Sequence, residues 1–156
     1  MHQMSAKPSV APIARRIRDE CLASPLRRLS RVVNAIYDEA LRPIGLTVAQ
    51  LNLLAAIAGL DEDATAARIA RALEIEKSTL SRDLARLEAG GLVRRREGGR
   101  EKRLELTARG AKLLEAAVPA WERAQARAAA ALPSLPLLAR TLREEEPVRR
   151  ARPECD

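Results

Sequence analysis

Leu26, Leu29, Val33, Ile36 and Ala40 fall three and four residues apart, which lays them on one face of a helix over about residues 26–41. Pro43 and Gly45 end it. Thr47-Val48-Ala49-Gln50 has the form of a capping box, and the helix it opens carries Leu51, Leu54 and Ile57 to about Gly59. Residues 61–64 read as a loop. Thr65 caps a short third helix with Ile69, Ala70 and Leu73 on its apolar side. A fourth helix is expected over residues 77–89, stopped by Gly90-Gly91. At about 100° per residue, Leu80, Leu84 and Leu87 share one side of it. Ser78, Arg82, Ala85, Arg86 and Ala89 share the opposite side.

The period then changes. Residues 92–96 read as a strand, Glu97-Gly98-Gly99-Arg100 as its turn, and residues 101–107 as the return strand, where Arg103 and Glu105 alternate with Leu104 and Leu106. Thr107-Ala108-Arg109-Gly110 opens a long fifth helix through Leu113, Leu114, Ala117 and Val118. Pro119 is expected to kink it, and an Ala-rich stretch continues it to about residue 132. Pro133 and Pro136 break it before a short last helix over residues 135–143. Residues 1–24, with Pro8 and Pro12, read as a flexible N-terminal arm holding a short helix near residues 13–21. Residues 144–156 read as a charged tail. The fold class is mainly α with a small β-hairpin.

Composition narrows the function. The 156 residues make one domain with room for an appendage. Lys and Arg number 28 against 21 Asp and Glu, a net charge of +7 and a pI near 10.4, which favours a polyanionic partner. Apolar residues at 47% and charged ones at 31% exclude an integral membrane protein and argue against wholesale disorder. The longest apolar run, residues 51–60, is interrupted by Asn52 and is far short of about 20 residues. The N-terminal residues hold no signal-like apolar run, so a soluble, cytoplasmic protein without a membrane partner is expected. Tyr37 and Trp121 are the only aromatics, too few for base-stacking RNA recognition. One His (His2) and two Cys (Cys21, Cys155) cannot build a zinc finger or a His-rich metal site, and no cofactor is implied. An enzyme is disfavoured: no phosphate-binding Gly loop is present, and no His lies inside the fold for acid–base work.

Over residues 94–103, six basic residues stand against two acids, a net of +4. Two short helices joined near Glu74–Glu76 and followed by a basic hairpin match a winged helix-turn-helix. The second helix of such a pair fits the major groove, and the hairpin supplies cations to the backbone or the minor groove.

The stretch from Leu26 to about Leu132 resembles the MarR family of bacterial transcriptional regulators. The resemblance is carried by Gly45-Leu46-Thr47-Val48-Ala49-Gln50-Leu51, Ile69-Ala70-Arg71-Ala72-Leu73-Glu74-Ile75, Ser78-Thr79-Leu80-Ser81-Arg82, Leu87-Glu88-Ala89-Gly90-Gly91-Leu92-Val93 and Leu106-Thr107-Ala108-Arg109-Gly110, in that order. It implies a MarR-like domain over residues 25–143. The winged helix would span about 47–107, and flanking dimerisation helices about 26–41 and 107–143. It also implies a homodimer reading a pseudo-palindromic operator in double-stranded DNA, as a repressor. Ser78, Thr79, Ser81 and Arg82 would face the major groove, and Arg86 would join the DNA-binding residues. Arg100 stands where the family has its wing-tip Arg, and Arg94, Arg95, Arg96, Lys102 and Arg103 would serve phosphates. Gly98 replaces the Asp that usually braces that wing Arg. Two plainer readings stay open: the hydroxyls at the helix start cap backbone donors, and the arginines are a solvated charge run.

By the same analogy, a small-molecule effector would sit in a crevice lined by Tyr37, Leu54 and Trp121, which also suit plain packing. Redox control is a second expectation, with an oxidant acting on Cys21, Arg15, Arg16, Arg18 and Arg27 favouring its thiolate, and Cys155 as resolving partner. The rival reading is a winged-helix protein- or RNA-interaction module without operator recognition.

Overall fold

The computed structural model describes residues 10–96 and 102–144. The chain divides into two compact units, one up to Ala35 and one from Ile36 onward. In the first unit, α1 (Ala11–Glu20) is the short helix expected within the arm, and it starts earlier than its apolar residues indicate. Pro12 lies in its first turn, where a missing N–H costs nothing, so this proline starts a helix instead of breaking one. α2 (Ala23–Leu41) also begins earlier than its apolar spacing predicts, with Pro25 tolerated in the first turn. It runs from the first unit into the second.

In the second unit, residues Arg42–Ile44 form a 3-10 turn closed by Gly45 at φ 75°. The capping box at Thr47 is present in full and opens α3 (Val48–Leu60): Thr47 accepts from the Gln50 N–H, and the Gln50 side chain accepts from the Thr47 N–H. Asp38 of α2 adds a third bond at this end, accepting from the Val48 N–H at 2.7 Å. Asp61–Asp63, expected as a loop, is a 3-10 turn. Thr65 caps α4 (Ala66–Ala72) as expected. Glu74 takes φ 50° in the turn to α5 (Lys77–Ala89).

β1 (Val93–Arg96) and β2 (Arg103–Leu106) pair antiparallel, with Val93 opposite Leu106 and Arg96 opposite Arg103. The Leu104 N–H also donates to the Ala64 carbonyl at 2.7 Å, which ties the hairpin to the start of α4. Thr107 caps α6 (Ala108–Ala131), which continues through Pro119 as one helix. α7 (Leu135–Glu144) follows. Among the described residues no single helix is long and apolar enough to cross a membrane.

The core lies where α3, α4, α5, the hairpin and α6 meet. Leu53, Leu54, Ile57, Ile69, Leu84, Leu87 and Leu104 are fully buried there. Leu80, Leu84 and Leu87 are the predicted apolar side of α5, so their burial turns the opposite side outward. Gly110 makes the tightest junction. A Cβ at this position would lie 2.0 Å from the Leu92 carbonyl oxygen. Thr107 completes the joint, its hydroxyl donating to the Gly91 carbonyl at 2.7 Å.

Candidate nucleic-acid interface

Ser78, Thr79, Ser81 and Arg82 are exposed on α5. The helix is capped by Glu76 without a side-chain bond. The three hydroxyls therefore do not cap it, and among the described residues they have no hydrogen-bond partner. That leaves their donors and acceptors open to water or a ligand. Arg82 likewise has no carboxylate partner among the described residues, whereas Arg86 donates to Asp83 at 3.2 Å.

The hairpin is less free than its charge suggests. Arg94 pairs with Glu105, its cross-strand neighbour. Arg96 lies 4.0 Å from the same carboxylate, and Arg103 lies 3.7 Å from Glu62. Arg95 pairs with Glu88 at the end of α5. Lys102 is exposed and unpaired among the described residues. Arg100 lies outside the described residues, as do Glu97 and Gly98.

A groove of about 410 Å³ runs between α4, α5 and the hairpin. Lys77, Ser81, Arg95 and Lys102 border it above a floor that includes Leu80 and Leu84. Lys77 is not among the residues that the sequence pattern singles out. Its signal is nevertheless there, because Lys77, Ser81, Leu84 and Glu88 recur at helical spacing on the side of α5 that faces the hairpin.

The residues expected around an effector are differently placed. Leu54 is fully buried, so it forms packed core and not the wall of an open crevice. The Tyr37 hydroxyl donates to the Gln125 side-chain oxygen, and partial burial pushes the phenol up from its ordinary value. Trp121 is 41% exposed. Cys21 is a free, half-buried thiol. Backbone bonds from Ser24 and Ala23 hold it below the ordinary thiol value, with a smaller contribution from Arg27, while burial opposes them. Of the other arginines expected to favour the thiolate, Arg16 pairs with Glu20 and Arg18 with Asp19. Cys155 lies outside the described residues.

A helix pair whose second member exposes hydroxyls and a guanidinium, followed by a basic antiparallel hairpin, defines a winged helix-turn-helix protein. The MarR family model matches residues 44–104, and the chain belongs to the MarR family of transcriptional regulators. It is 37% identical to the transcriptional regulator MosR of M. tuberculosis, over 86% of this chain and 98% of that one, with a TM-score of 0.73. The structure of MosR in complex with DNA matches at 36% identity over 85% of this chain and 98% of that one, with a TM-score of 0.71. A MarR family protein of M. tuberculosis in complex with p-aminosalicylic acid matches at 28% identity over 79% and 96%, with a TM-score of 0.60.

Proposed function

We propose that the chain is a cytoplasmic, effector-responsive repressor that binds a pseudo-palindromic operator as a homodimer. The observation that carries this reading is the open face of α5, where Ser78, Thr79, Ser81 and Arg82 are exposed and, among the described residues, unpartnered, while Leu80, Leu84 and Leu87 seal the other side. Hydroxyls and a guanidinium match the donors and acceptors of base edges. Lys77 and Lys102 supply phosphate contacts beside them. Arg100 takes the minor groove by the family pattern alone. MosR, similar to this chain, was solved with DNA. Exposed apolar side chains at Ile13 and Ile17 of α1 and Leu137 of α7 support self-association. Light scattering should give a mass of two chains. Transcription in vitro from a promoter carrying a selected site should fall when the protein is added. A rise would make it an activator, and a monomer that selects no site would return the interaction-module reading.

Control by an oxidant is a second reading, favoured by the backbone bonds that stabilise the Cys21 thiolate. Alkylation of Cys21 should set in at a lower pH than for an ordinary thiol. Peroxide should give a sulfenate there, or a disulfide to Cys155, and release DNA. Mass spectra of treated protein with Cys21 unmodified would end this reading. The small-molecule reading draws on the relative solved with p-aminosalicylic acid and places the effector beside Tyr37 and Trp121.

A further inference from the structure

Arg95 differs from the other arginines of the hairpin. Arg94 and Arg96 share a sheet face with Glu105 and Arg103, their register partners. Arg95 is opposite Leu104, on the face that carries the buried Val93 and Leu104, and it meets α5. Its Nε donates to Glu88 Oε1 at 2.5 Å. Glu88 lies in the last turn of α5, where a carboxylate meets the negative end of the helix dipole and is unfavourable without a facing cation. Among the described residues this is the one ion pair joining α5 to the hairpin. The turn between them is closed by backbone bonds from Gly91 to Glu88 and from Leu92 to Leu87.

We infer that Glu88 is a positioning residue of the DNA interface: through Arg95 it holds the wing stem at a set angle to α5, so that both elements meet one duplex in register. The inference rests on the DNA-binding reading above. The pair is partly exposed and adds little to folding stability. Its effect is on geometry, because two recognition elements must fit a single rigid partner.

The test begins with full-length protein selecting duplexes of about 30 base pairs from a random pool, long enough for two half-sites one turn apart. E88Q, R95Q and the double variant are then titrated against a selected duplex and a scrambled one across a range of salt. Each single variant should lose about tenfold in preference for the selected duplex, and the double variant no more than either single one. The salt slope and the thermal midpoint should stay near those of the unaltered protein. An unchanged preference in E88Q would overturn the inference. So would an R95Q salt slope lowered by about one on both duplexes, which would make Arg95 a phosphate contact. If the unaltered protein selects no duplex, the DNA-binding reading fails as well; failure of the E88Q arm alone leaves it standing.

Discussion

Arg82 and Arg86 sit one turn apart on α5, and their neighbours make them different. Asp83 holds Arg86, while Arg82 has no carboxylate partner among the described residues. A paired guanidinium must exchange a carboxylate for a base edge, whereas a free one gives up only water. Arg82→Ala should therefore weaken binding to a selected operator by about 1–3 kcal/mol, and Arg86→Ala by clearly less. Equal losses, read by fluorescence anisotropy, would contradict this division. Gly110 is constrained by backbone instead of charge. With the Leu92 carbonyl 2.0 Å from any added Cβ, Gly110→Ala must shift backbone and should cost about 1–3 kcal/mol in urea unfolding. A change under about 0.5 kcal/mol would show that the junction yields.

Among the elements, local chemistry can be read from the sequence and tertiary chemistry cannot. Thr47, Thr65 and Thr107 cap their helices as expected, because a cap needs only neighbours three residues away. The apolar side of α5 is equally plain from its period. Pro12 reads as a mark of loose chain, yet a proline ends a helix or starts one depending on its place in the turn, and Pro12 lies in the first turn of α1. The carboxylate partners of the wing arginines are hidden for a different reason. Glu88 and Arg95 are seven residues apart, and Glu62 and Arg103 meet only through the fold. The hairpin therefore presents less free charge than its composition implies. Lys102, unpaired among the described residues, should carry a phosphate contact: Lys102→Ala should lower the salt slope by about one per protomer. Arg94→Ala should change it less, since Glu105 already holds that guanidinium. The reverse order would mean that DNA displaces the carboxylate.

Over the molecule as a whole, a chain with a net charge of +7 sets exposed hydroxyls, Arg82, Lys77 and Lys102 on α5 and at the base of the wing. Charge alone yields adherence to any duplex, and only ordered contacts yield preference among sequences. The decisive measurement is therefore sequencing of duplexes retained by the purified, reduced protein from genomic DNA. A dimeric operator reader enriches a pseudo-palindrome with half-sites about one helical turn apart, and that enrichment is expected here. Uniform, salt-sensitive retention with no enriched sequence would contradict it.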